Sequence, residues 1–354
     1  MLHNDRIGHF AENTELYLCE RDASLHPKRV FDILHYCGKT FCNHQLKKMW
    51  ERTNLLRIWS IPRYLFISNS LLPGYKKHII ETSNRDIHGL YGRIPTHLSF
   101  TPEEEKKGND ELRKIGIPFE AKIICFMARN SAYLNTIYKG GNYSYHNYRD
   151  SNINNYIPAI EELVNRGYYA VRMGAVVKEP LGMSNHRIID YAVKHRTEFM
   201  DIYISAKCHF FLNGGAGMEA VPIIFRRPIV RVNVVPIEYV PSWNEDLFIP
   251  KKLWLIKERR FMTFREIMES GAGIFLKSEQ YAQLGIDPVE NTPEEIAAVS
   301  IEMEERLEGT WKTTEEDEKL QRRFWSLFKM SELHGTIKSK IGADFLRRNQ
   351  NLLR

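Results

Sequence analysis

Short apolar runs separated by glycine-rich or polar corners recur through the second half of the chain, at residues 122–128, 168–172, 209–213 and 228–235. Runs of that length, apolar on both alternate faces, predict strands buried on both sides of a parallel sheet. Between them the spacing changes to a helical period: 157–166 predicts a helix ending at Gly167. Residues 214–222 predict a glycine turn running into a short helix. Farther on, Thr292 caps and Pro293 opens an amphipathic helix over 293–307, and more helix is expected at 315–328. Strand and helix alternate, so the expected class is α/β with a mostly parallel sheet covered by helices on both faces.

The first third is harder to read. Residues 6–15 predict a loop entering a helix that continues through 16–18, with about five residues ahead of it. A Rossmann-like half places an apolar strand before its first glycine loop. Here that strand is missing, or the start is truncated, or residues 29–37, with a plausible strand at 30–34, compensate. A helix is expected near 43–54, then apolar material at 64–68. Thr101 caps and Pro102 opens a helix that ends near Gly116, where a domain boundary is expected. The expected division is an acceptor-side domain, 1–118, and a nucleotide-binding domain, 119–314; the helices of 315–354 are free to pack back on the first. The polar, aromatic loop at 135–155 is long for a plain connection, which points to function.

Charge sharpens this picture. The 354-residue chain carries a net +6, and more than that excess lies between Lys28 and His78, where ten Lys and Arg face only Asp32 and Glu51. Trp50, Trp59, Tyr64, Phe66 and Tyr75 are interleaved with them. Such a segment is either a solvated basic face or a surface for anionic lipid, an anionic acceptor or nucleic acid. The five cysteines are scattered without CxxC spacing, which argues against a disulfide framework or structural zinc and favours the cytoplasm. No run reaches the roughly 18 apolar residues of a membrane span, and no signal-peptide core is seen.

The chemistry gathers at predicted strand ends, where ligands of open α/β sheets bind. Arg129, Arg172 and the turn Gly214, Gly215 and Gly217 follow three such ends. They are either edge-of-sheet salt bridges and a tight turn, or a diphosphate grip by guanidinium and backbone N–H groups. Gly174, Asn213 and Glu219 complete the candidate nucleotide-binding set, with Glu219 either favouring a helix start or touching a ribose hydroxyl. Arginine needs no metal to hold phosphate, and no Asp-x-Asp pair or GxxxxGK[ST] loop is present, so no metal or other cofactor is expected. On the N-terminal side Gly8–His9 is followed by Glu12 and Glu15. His9, Glu12, Glu15 and Asp150 are the candidate proton-transfer groups, each with a packing or capping role as the alternative.

Together the runs 6–15, 100–104, 148–151, 172–174 and 211–217, with 345–349 near the end, resemble a family of bacterial glycosyltransferases from surface-polysaccharide gene clusters. The resemblance implies a GT-B architecture, two Rossmann-like domains facing a cleft, with the nucleotide-sugar donor on the C-terminal one. It implies metal-independent transfer of a sugar to a hydroxyl of a glycan or lipid-linked glycan, with His9 as the base. The expected setting is the cytoplasm, at the inner face of the cytoplasmic membrane, with residues 28–78 touching anionic lipid and no nucleic-acid partner. Two other readings stay open: a nucleotide-sugar epimerase or hydrolase of the same fold, and a non-catalytic basic protein that binds membrane or nucleic acid.

Overall fold

The computed structural model describes residues 1–26, 32–53, 66–69, 71–80, 82–137 and 141–354. Its centre is a seven-stranded sheet in which every pairing is parallel. The strands are β1 (Ile123–Ala128), β2 (Tyr169–Arg172), β3 (Ile188–Ile189), β4 (Phe210–Gly214), β5 (Ile229–Val234), β6 (Leu247–Pro250) and β10 (Lys340–Ile341). Their spatial order is β10-β6-β5-β4-β1-β2-β3. The chain winds outward from β1 through β2 to β3, then crosses back to β4 and winds the other way. The crevice between β1 and β4 is therefore the topological switch point of a Rossmann-like sheet. A small antiparallel sheet, β8-β7-β9, is formed by β7 (Lys252–Leu255), β8 (Arg260–Phe261) and β9 (Ile286–Val289).

Helices cover both faces. On one, α4 (Ile157–Asn165), α7 (Pro293–Leu307), α8 (Glu315–Leu327) and α9 (Ala343–Arg348) bury Ile160, Ile296, Phe324 and Phe345 against Ile124, Phe210 and Val230. On the other, α1 (Ile7–Asp22), α2 (His44–Arg52), α3 (Pro102–Lys114), α5 (Glu198–Lys207) and α6 (Ala220–Ile224) bury Phe10, Trp50, Leu112, Ile202 and Val221 against Cys125, Val171 and Phe211. Caps set several of these ends. Thr101 and Glu104 form a reciprocal capping box at α3, as Thr292 and Glu295 do at α7, each with proline in the first turn.

The α/β class with a parallel sheet and flanking helices matches the expectation. Among the described residues, the first 122 add no strand to the main sheet; an isolated bridge pairs Leu2 with Tyr36. Their apolar side chains share one cluster with Cys125, Val171 and Phe211 of the sheet, so α1, α2 and α3 act as a covering layer on that face. The helices α8 and α9 lie in the opposite cluster, not against 1–118. Among the described residues, Arg85 donates to the carbonyl of Leu333, in the loop before β10, at 2.7 Å. The expected strand at 30–34 and the apolar stretch at 64–68 fall partly outside the described residues; Phe66–Asn69 is a helical turn.

Candidate functional site

A cavity of about 420 Å³ opens over the carboxyl ends of β1, β2 and β4, at the switch point. Its walls come from three places: Ala128–Asn130 after β1, Gly174–Val176 after β2, and the turn Gly215–Ala220 after β4. The start of α1, with Arg6, Ile7, Gly8, His9 and Glu12, closes the fourth side.

The turn after β4 is organised by Asn213, which is fully buried. Its side chain accepts from the Ala216 N–H at 3.2 Å and donates to the Ala216 carbonyl at 3.3 Å and the Glu219 carboxylate at 2.9 Å. Gly215 has φ +79°, a left-handed conformation that favours glycine. At Gly214 a Cβ would run into the Tyr156 hydroxyl. Beyond the turn, Gly217 meets Gly8 of α1 so closely that a Cβ on Gly8 would lie 3.3 Å from the Gly217 carbonyl oxygen. This contact between two glycines lets α1 reach the cavity. No side chain caps α1, so its first N–H groups stay open to a ligand.

Of the four proton-transfer candidates, His9 and Glu12 line the cavity. His9 is exposed, and its Nδ1 lies 3.4 Å from Asn13 Oδ1. Asn13 in turn donates to the Thr82 carbonyl at 3.4 Å. Glu15 does not reach the cavity. It is fully buried and takes Arg226 at 2.6 Å and His97 Nδ1 at 3.2 Å, an ion-pair cluster that ties α1 to the loop after α6. Asp150 is engaged by the Arg129 guanidinium, and burial holds its carboxyl above the ordinary value despite that charge.

The arginines separate in the same way. Arg129 lines the cavity and also donates to the His146 carbonyl at 3.2 Å. Arg172 is buried at the end of β2, donating to the Glu179 carbonyl at 2.7 Å and facing Asp190 at 3.4 Å. Asp190 also receives the Leu181 N–H at 2.7 Å, so the pair shapes the loop after β2 and does not face the cavity. Arg172, a candidate phosphate ligand, thus pairs with Asp190 and is not brought into the cavity beside Arg129. Arg149, which was not among the candidates, lines the cavity and donates to the Gly215 carbonyl at 2.8 Å. Arg6 and Arg196 stand on the same wall. The field they make is felt by His146, whose pKa is lowered by burial, then by Arg129, Arg149 and Arg6.

Below the turn lies a second missed residue. Arg231, buried in β5, pairs with Glu219 at 3.0 Å and Asp246 at 2.7 Å. Its signal in the sequence was a lone arginine inside an apolar strand. Glu12 sits near this group, and burial, then the Glu219 charge, pushes its carboxyl up to about 8 against the pull of Arg231 and Arg85. At neutral pH Glu12 mostly holds its proton. A smaller cavity of about 190 Å³ adjoins the first between β4 and β5. It shares Arg149, Gly215 and Glu219 with the first and is otherwise lined by groups such as Tyr148, Tyr239, Val240 and Leu276. One polar, positively charged chamber therefore leads into one aromatic chamber, with Glu219 at the junction.

Comparison with models of known protein families, with curated proteins and with solved structures gave no match in any of the three. No helix among the described residues is long and apolar enough to cross a membrane.

Proposed function

We propose that the chain is a glycosyltransferase that moves a sugar from a nucleotide-activated donor to a hydroxyl of a glycan or lipid-linked glycan. The observation that carries this reading is the convergence of Arg129, Arg149, the uncapped start of α1 and the Gly215–Gly217 turn on one chamber at the switch point. Together they offer a diphosphate both guanidinium and backbone N–H donors, with no call on a metal. The adjoining Tyr148 and Tyr239 chamber has room for a flat ring, and Glu219 at the junction faces the place of a ribose.

In the reaction the acceptor oxygen bonds the anomeric carbon as the bond from that carbon to the diphosphate oxygen breaks, its electron pair leaving with the diphosphate. The positive chamber stabilises that developing charge. With Nδ1 turned to Asn13, His9 presents Nε2 to take the acceptor proton in an inverting transfer. Glu12, holding its own proton, donates a hydrogen bond within the same chamber. A GT-B enzyme places the acceptor on a second Rossmann-like domain. We assign the acceptor side to residues 1–118, which meet the cavity through α1, and the expected lipid contact to residues 28–78 at the cytoplasmic face of the membrane.

The test is thermal unfolding with UDP, GDP, CDP, CMP, TDP and ADP, without added metal. A ligand at about 100 times its dissociation constant stabilises the folded state by roughly 2.7 kcal/mol. A shift with one nucleotide supports the donor site; no shift with any of them removes it. Following sugar release from the matching donor then separates the alternatives. Turnover that requires a glycan acceptor supports transfer, and turnover without one points to a hydrolase or epimerase.

A further inference from the structure

We infer a divalent-cation site, of the zinc class, formed by His3, Asp5 and Cys37 beside the start of α1. One nitrogen, one oxygen and one sulfur ligand atom from these residues lie within 4.8 Å of one another. A tetrahedral ion with ligand bonds of about 2.0–2.3 Å holds its ligand atoms roughly 3.3–3.8 Å apart, so the three side chains draw together on binding. The mixture of imidazole, carboxylate and thiolate suits Zn²⁺ better than the hard cations Mg²⁺ or Ca²⁺, which prefer oxygen alone.

The backbone holds the ligands in place before any ion arrives. Leu2 donates to the His35 carbonyl at 2.8 Å and accepts from the Cys37 N–H at 2.9 Å. These two bonds fasten the segment carrying His3 and Asp5 to the one carrying Cys37. Between the ligands, the fully buried Asn4 side chain donates to the Gly38 carbonyl at 3.0 Å and the Thr40 carbonyl at 2.7 Å. Its oxygen accepts from the Gly38 N–H at 3.1 Å. Ligands fixed by a surrounding hydrogen-bond shell lose little freedom on binding.

The Cys37 thiol points to Asn4 Oδ1 at 3.1 Å and Asp5 Oδ1 at 3.7 Å. Coordination sends that thiol proton to solvent, puts the ion between sulfur and carboxylate, and leaves Asn4 Oδ1 to the Gly38 N–H. The fourth position falls to water. A contrasting group, Glu15, Cys19 and His97, has the same spacing, but Arg226 already supplies its positive charge at 2.6 Å from Glu15. The inferred ion clamps the residues that lead into α1, whose His9 ring lies 5.8 Å from that of His3. It stands apart from the phosphate chamber and does not enter the transfer step.

The experiment is titration of the metal-stripped full chain with Co²⁺, followed by absorption, and then displacement by Zn²⁺. The expected result is one Co²⁺ per chain, with tetrahedral d–d bands and a thiolate-to-cobalt band that Cys37→Ser removes and Cys42→Ser keeps. Absence of saturable binding, or a thiolate band that survives Cys37→Ser, overturns the site. Asp5→Asn, at an exposed position, provides a second reading if Cys37→Ser does not fold. It should weaken Zn²⁺ by at least about tenfold, and unchanged affinity overturns the carboxylate's part in the site.

Discussion

Gly8 and Gly217 touch backbone to backbone: a Cβ added to Gly8 would lie 3.3 Å from the Gly217 carbonyl oxygen and 3.5 Å from its Cα. The contact joins the start of α1 to the turn after β4, and both line the same cavity. Gly8→Val should force the two apart and cost about 1–3 kcal/mol. Nucleotide affinity, read by calorimetry, should fall with it. A valine variant with unchanged melting temperature and unchanged affinity would show that the two segments need not touch for the site to form.

Glu12 gives a pH signature. Burial, then the Glu219 charge, pushes its folded-state pKa up to about 8, above the ordinary carboxyl value of 4.5. The folded chain keeps a proton that the unfolded chain has already released. Stability from this group is therefore fully present below about pH 4.5 and is lost as pH rises to about 8. Glu12→Gln removes the titration. The melting temperature of the variant minus that of the parent should grow across this window and level off above it. A difference that stays flat from pH 5 to 8 would place Glu12 in water.

Arg172 and Arg149 should behave differently although both follow or face strand ends. Truncating Arg172 to alanine strands Asp190 in a buried setting and should cost about 3–5 kcal/mol of stability. Arg149→Ala should leave the fold intact and weaken nucleotide binding by about 10- to 100-fold, the worth of a charge-assisted hydrogen bond. Melting curves and calorimetry on the two variants decide the assignment. A stable Arg172→Ala that fails to bind nucleotide would return Arg172 to the ligand.

His146 reports on the field in the cavity. Burial and three arginines keep its pKa low in the ligand-free state. An anion bound among Arg129, Arg149 and Arg6 offsets that field, so binding should raise the His146 pKa and take up protons near it. The ring resonances of His146 in an NMR titration, with and without nucleoside diphosphate, measure this directly. A downward shift, or none, would argue against an anion at this position.

The elements with strong patterning were legible. Residues 293–307 coincide with α7 because Thr292, Pro293 and Glu295 announce its start and its apolar positions keep a helical period. The run 122–128 contains β1 because a short apolar stretch with buried alternate faces has few other uses. The glycine turn at 214–217 was legible for the same local reason. The charged residues were not. Glu15, Arg172 and Asp150 owe their roles to partners at positions 226, 190 and 129, and such pairings leave no trace in local sequence. α1 was only partly visible, since it buries Glu12, Asn13, Thr14 and Glu15 together with its apolar residues and so shows no clean stripe. β10, two residues long and paired with a strand far earlier in the chain, carries too little pattern to be seen.

The seat of α1 has a temporal cost. Its main packing partner is α6, beside the turn that Gly8 touches, and α6 leaves the ribosome about 200 residues later, or roughly 10–40 seconds at about 5–20 residues per second. Through that interval Phe10, Leu16, Tyr17 and Leu18 lack α6 and β4, although β1 and β2 emerge earlier. A nascent chain halted before residue 210 should bind hydrophobic-surface dyes and chaperones, and one extended past β5 should release them.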